Sequence, residues 1–266
     1  MSRIAACMKQ LKEQGKKALV PYFVTGDPSK DMTVPMMHAM VEAGANIIEL
    51  GVPFSDPAAE GPVIQLAHER ALENKVSLRD TLNLVKEFRL KDNITPVVLM
   101  GYCNPVEIMG YENFAKQASD AGVDGLLTVD LPPEEALEFT AILQKYKLDN
   151  IFLIAPTTTP ERIKLIAAQA SGYLYYVSLK GVTGAGNINL AEVDERVGLI
   201  KSITDVPICV GFGIKDPQSA KQIAQFAEGA VVGSALVDRM ASAKSVDEAI
   251  AATKPFIQSL RQAIDS

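Results

Sequence analysis

The chain has 266 residues, 48% hydrophobic and 22% charged, with 26 basic against 32 acidic side chains. Apolar content this high with a net charge of only −6 excludes a disordered chain. The lack of any basic run argues against a nucleic-acid binder, because phosphate backbones demand clustered Lys and Arg.

In chain order, short apolar runs alternate with longer amphipathic ones. The opening stretch MSRIAACMKQLKEQG is mixed and charged, with no apolar core of signal-peptide length. Residues 4–14 predict an extra helix that plugs a barrel floor. Strand candidates follow at ALVPYFVTG from Ala18, NIIELGV from Asn46, TPVVLMGY from Thr95 and GLLTVD from Gly125. They continue at NIFLIA from Asn150, GYLYYVSL from Gly172, PICVGFG from Pro207 and GAVVGSALV from Gly229. Each is a nearly continuous run rich in Val, Ile and Leu, the pattern of strands buried on both faces of a parallel sheet.

Helical periodicity fills the intervals, in DMTVPMMHAMVEAG, LRDTLNLVKEFRL, YENFAKQASDAG, PPEEALEFTAILQKY, PERIKLIAAQA, AEVDERVGLIKSI and DPQSAKQIAQFA, and SVDEAIAATKPFIQSLRQAI closes the chain. Several open at Asp, Ser or Pro and stop at Gly, as capped helices do. About eight strand–helix units imply an α/β fold closed into a TIM (β/α)8 barrel, which needs roughly 250 residues. A doubly wound open sheet is the alternative. No linker or low-complexity tract divides the chain, so residues 1–266 read as a single barrel domain. No apolar run approaches the roughly 20 residues that span a bilayer, so no membrane association is expected. Cys7, Cys103 and Cys209 are too sparse for a disulfide framework. The expectation is a reduced, cytoplasmic protein. Two histidines, His38 and His68, offer no zinc-ligand spacing, and neither sits at a strand end where a catalytic triad would need it.

In a TIM barrel the chemistry lies at the C-terminal strand ends. The second strand delivers Glu49, flanked by Ile47, Ile48 and Leu50. A carboxylate on an apolar strand is costly unless paired, and desolvation raises its pKa, which suits a general acid/base near neutral pH. The alternative is a structural Glu bonded to backbone or tyrosine. The next loop, GVPFSDPAAEGP, is stiffened by Pro53, Pro57 and Pro62 and carries Asp56 and Glu60. Two carboxylates converging on one pocket form an acid/base pair; a solvated acidic loop is the other reading, favoured for Asp56 alone. Glycine-rich ends at SLKGVTGAGN, GFG and VVGSALV on the last three strands predict a phosphate cup built from backbone N–H groups at the start of a helix, with plain turn glycines as the other reading. Tyr22, Met100, Leu127, Val129, Leu153, Tyr175 and Phe212 are inward candidates that fill the barrel or wall a flat aromatic substrate. The residues together point to a phosphorylated, partly aromatic substrate and carboxylate acid/base chemistry without a metal.

The segments IELGVPFSDPAAEGPVIQ, VDLPPEE, APTTTPERI, YYVSLKGVTGA, GFGI and VVGSALV resemble the tryptophan synthase α-subunit family, over nearly the whole chain from PYFVTGDP onward. The resemblance implies a carbon–carbon lyase that cleaves indole-3-glycerol phosphate to indole and glyceraldehyde 3-phosphate. It implies no cofactor in this chain, and a β subunit partner, in an α2β2 assembly, that holds pyridoxal phosphate and joins the indole to serine. Glu49 matches the family's general acid/base, and Glu60 the carboxylate that holds the indole N–H. Gly184, Gly213, Gly233 and Ser234 match the phosphate ligands, Thr183 matches the lid residue, and Tyr102 and Asn104 fall on a loop facing the β subunit. The chain departs from the family in carrying Glu60 where Asp is usual, Ala58 where a bulky residue is usual, and Leu179-Lys180 in the lid. These departures motivate a second reading, a weakly active regulatory partner that binds and activates a β subunit. Indole-3-glycerol phosphate synthase or a phosphosugar isomerase is disfavoured, because outside Lys180 no candidate strand ends in a catalytic Lys.

Overall fold

A computed structural model describes residues 2–177, 190–211 and 213–266. Eight parallel strands close into a barrel in chain order: β1 (Ala18–Val24), β2 (Ile48–Gly51), β3 (Val97–Gly101), β4 (Gly125–Thr128), β5 (Asp149–Ile154), β6 (Leu174–Val177), β7 (Ile208–Gly211) and β8 (Gly229–Val232), with β8 pairing back onto β1. Closure removes both sheet edges, so every strand is buried by helices outside and side chains within. The alternative open sheet is thereby excluded.

Twelve helices surround the strands among the described residues: α1 (Arg3–Glu13), α2 (Thr33–Glu42), α3 (Pro62–Glu73), α4 (Leu78–Phe88), α5 (Cys103–Met109), α6 (Tyr111–Ala121), α7 (Leu137–Lys145), α8 (Pro160–Ala167), α9 (Leu190–Ile203), α10 (Pro217–Ala224), α11 (Ser234–Met240) and α12 (Val246–Asp265). No described helix is long and apolar enough to cross a membrane. Capping boxes start α4 at Ser77 and α10 at Asp216, where side chain and backbone satisfy each other's free donors.

One predicted helix starts later, and two helices were not foreseen. Helix α7 begins at Leu137 rather than at Pro132, since the Glu135 N–H bonds to the Pro132 carbonyl in a turn and Pro133 disfavours helical backbone at the residue before it. Helices α3 and α5 have no counterpart among the predicted helices. Pro62, taken as a loop stiffener, is the first helical residue of α3, where its missing N–H costs nothing. The buried stripe of α3 is Ile64, Ala67, His68 and Ala71, too thin and too polar to stand out as an amphipathic period.

The floor is closed as expected. Helix α1 is capped by Ser2 and drives the fully buried Ile4 beneath Gly125 and Gly172. Ser2 donates to Asp149 at 2.5 Å, and Arg3 and Arg89 both reach Asp124, at 2.9 and 2.8 Å. Asp124 also accepts the Val97 N–H at 2.8 Å, so one buried carboxylate ties together α1, α4 and the lower ends of β3 and β4.

Breaking a buried pair leaves its partner charge uncompensated, which costs about 3–5 kcal/mol. Asp124→Ala should therefore lower the unfolding free energy by about that amount in a urea melt. Asp120→Ala, which removes the exposed pair with Lys116, should change it immeasurably.

Candidate active site

Register fixes what meets at the upper end of the barrel. Tyr22 lies beside Glu49 across β1 and β2, and Gly51, Met100 and Leu127 lie side by side across β2, β3 and β4. Alternation sends Ile48 and Leu50 out to the helices and Glu49 inward. Glu49 is fully buried. Its Oε1 accepts the Tyr173 hydroxyl at 3.1 Å, while Oε2 has no hydrogen-bond partner among the described residues. Burial pushes the carboxyl up to about 8; the Tyr173 bond opposes that rise and the nearby Glu60 charge adds to it.

Glu60 stands on the loop between β2 and α3. Burial alone pushes its carboxyl up to about 7. The loop is held at several points. The Phe54 N–H donates to His68 Nδ1 at 3.2 Å, the Phe54 ring stacks on Tyr102 with centroids 5.0 Å apart, and the Tyr102 hydroxyl accepts the Ala59 N–H at 3.1 Å. Gln65 donates to the Glu60 carbonyl at 2.9 Å. Asp56, by contrast, is exposed and accepts from Ser55 at 2.6 Å, so it belongs to the solvated outer turn. Ala58 and Ala59 are exposed on the same turn.

The walls are aromatic and apolar. Tyr22, Leu127 and Tyr175 are buried, and Met100, Val129 and Leu153 are partly buried around the same mouth. Both tyrosine hydroxyls need glycine neighbours. A Cβ on Gly51 would sit 2.5 Å from the Tyr22 hydroxyl oxygen, and one on Gly211 would overlap the Tyr175 phenol. Burial raises both phenols well above their usual range, with the charges of Glu49 and Glu60 adding to the rise. That shared influence draws Glu49, Glu60, Tyr22 and Tyr175 into one electrostatic unit. On the β7–β8 side, Gly213 is exposed with φ +77°, a conformation that side chains disfavour, and Gly233 and Ser234 open α11. Among the expected site residues, Thr183, Gly184 and Phe212 lie outside the described residues, as do Leu179 and Lys180. No group of three or more His, Cys, Asp or Glu side chains that could hold a metal occurs among the described residues.

Sequence reasoning missed Tyr173, His68, Gly51 and Gly211. Tyr173 was within reach, because it precedes the inward Tyr175 by two residues and so shares its face. A histidine within a helix gives no comparable signal.

The family described as "Tryptophan synthase alpha chain" matches residues 8–265. The chain is 57% identical over 248 residues to the tryptophan synthase alpha chain of Methylococcus capsulatus, covering 93% of each. It is 56% identical over 267 residues to that of Nitrosococcus oceani, covering 100% of this chain and 98% of the relative. Among solved structures, it resembles tryptophan synthase subunit alpha from Legionella pneumophila with a TM-score of 0.94 and 47% identity, over 100% of this chain and 99% of that one. A tryptophan synthase chain from M. tuberculosis, in an aminoacrylate-bound form, is similar with a TM-score of 0.89 and 36% identity, over 99% and 100% of the two chains.

The raised pKa of Glu49 has a consequence for stability. A carboxyl at about 8 in the folded chain, against an ordinary 4.5, keeps a proton that the unfolded chain has released between those values. Its contribution is therefore present below pH 4.5 and lost as pH rises to about 8. Glu49→Gln removes that loss. Its melting temperature should rise relative to the parent across this window and level off above it. A difference that does not vary with pH would contradict the assignment.

Proposed function

The chain belongs to the tryptophan synthase alpha chain family and is a carbon–carbon lyase that cleaves indole-3-glycerol phosphate; we propose that Glu49 and Glu60 divide the acid/base work of that cleavage. The observation that carries this reading is the buried Glu49, held by Tyr173 on one oxygen and without a partner among the described residues on the other, near a second desolvated carboxyl.

Glu49, protonated near neutral pH, delivers its proton to C3 of the indole ring. Positive charge develops on the ring nitrogen, and the Glu60 carboxylate accepts the N–H and stabilises that charge. Glu49, now a carboxylate, takes the proton of the glycerol hydroxyl next to the ring. The carbon–carbon bond breaks, its electron pair returns to the ring, and the hydroxyl carbon becomes the aldehyde of glyceraldehyde 3-phosphate. Glu49 ends the cycle with one proton, as it began. Tyr22, Met100, Leu127 and Tyr175 flank the flat ring. Backbone N–H groups of Gly213, Gly233 and Ser234 bind the phosphate, so affinity depends only modestly on salt. Glu60 reaches further than the usual Asp, and the small Ala58 leaves room for it. Nothing in the fold or the comparisons favours a weakly active regulatory partner.

The partner in this reading is a β subunit that holds pyridoxal phosphate and receives the indole, in an α2β2 assembly in the cytoplasm. Residues 1–266 serve as one barrel unit in it, with no cofactor of their own. Exposed apolar side chains on the helices after β2, β3 and β4 support a docking surface: Leu66 at 52%, Ile108 at 81% and Leu137 at 64%.

Glu49→Gln should keep the fold and lower turnover by about 10²–10⁴-fold, since the amide cannot shuttle a proton. Near-normal turnover in the folded variant would sink the assignment. Glu60→Ala should lose roughly 10–100-fold, from a charged hydrogen bond worth about 1.5–3 kcal/mol, while Glu60→Asp should change the rate less. Added β subunit should raise lyase turnover by ordering the acidic loop; an unchanged rate in a demonstrated complex argues against that coupling.

A further inference from the structure

We infer that His68 is a positioning residue for the lyase reaction, setting Glu60 through the acidic loop; this rests on the role proposed above for Glu60. His68 lies on α3, 2% exposed, six residues past the carboxylate's helix start. Its Nδ1 accepts the Phe54 N–H, so the ring proton sits on Nε2. Nε2 is buried with no hydrogen-bond partner among the described residues, and Nδ1 is the atom through which the ring engages the loop. Burial pulls the imidazole down to about 4, so Nδ1 keeps its lone pair throughout the neutral range.

What His68 fixes is the first residue of a relay. With the Phe54 N–H tied, the Phe54 ring is seated against Tyr102, and the Tyr102 hydroxyl holds the N–H of Ala59, the residue next to Glu60. Gln65, one turn earlier on the same helix, holds the Glu60 carbonyl. The backbone that carries the Glu60 side chain is thus held by α3 and by Tyr102 just past the end of β3. Releasing the Phe54 N–H loosens one grip and lets the carboxylate wander by a fraction of its reach. A misplacement of about 1 Å can cost on the order of 100-fold in rate.

Two amide variants separate the atoms of the ring. Asn places its oxygen where Nδ1 stands, and Gln places its amide near Nε2. The enzyme is assayed for indole-3-glycerol phosphate cleavage with its β subunit, with melting temperatures measured in parallel. His68→Asn should retain kcat within about threefold. His68→Gln should lose roughly tenfold or more in kcat with a smaller change in KM, and His68→Leu, which keeps an apolar body and offers no acceptor, should lose the same. In a Glu60→Ala background, His68→Gln should cost less than about twofold further, because residues acting through one group do not add. Equal kcat for His68→Asn and His68→Gln, or losses that multiply in the double variant, overturn the inference. If Glu60→Ala itself matches the parent, the Glu60 reading fails and this one falls with it. If Glu60→Ala is slow and both His68→Gln and His68→Leu match the parent, only the role of His68 is lost.

Discussion

One carboxyl group inside an apolar barrel constrains the rest of the site. Glu49 has no exposure and, among the described residues, one hydrogen bond and one oxygen without a partner. Ionising such a group against desolvation is expensive, and a stability-optimised barrel would place Leu or Val there. The surrounding fold makes the position tenable. Hydrogen-bonded strands on both sides hold the backbone of β2, and Tyr173 supplies a donor to one oxygen. The other oxygen faces no hydrogen-bond partner among the described residues.

The packing of the rim depends on small residues beside large ones. The Tyr22 phenol occupies space that Gly51 vacates, and the Tyr175 phenol occupies space beside Gly211. Each glycine sits on the strand neighbouring its tyrosine, so the two rings lean around the rim instead of across it. The floor does the opposite job. Ile4 fills the bottom, and Asp124 gathers Arg3, Arg89 and the Val97 N–H. Rigidity is concentrated below and at the strands, and the catalytic groups are carried on the strand ends and their loops, the division of labour common to TIM barrels.

The barrel was legible because each strand is a short apolar run followed by helical periodicity, a local signal that needs no tertiary information. Glu49 was legible for the converse reason, as an acid interrupting such a run. Helix α3 was not, since its buried stripe is two alanines, one Ile and one His behind a proline-rich entry. Gly51 stands at the start of the proline-rich loop and Gly211 in the GFG read as part of a phosphate cup, whereas their value lies in an absent side chain beside a tyrosine from a neighbouring strand. His68 and Tyr102 act on residues 14 and 43 positions away, at Phe54 and Ala59. Such pairings exist only once β2, β3 and α3 have been brought together, and nothing in the spacing of the residues announces them.

Glu49 holds its proton near neutrality because the barrel desolvates it. The direct measurement is the ¹³C chemical shift of the Glu49 side-chain carboxyl in selectively labelled protein, followed against pH and assigned by its loss in Glu49→Gln. A titration midpoint near the value of about 8 is the predicted result. A midpoint at the ordinary 4.5 would mean that the carboxyl is solvated or paired in a way the fold does not account for, and would contradict the account.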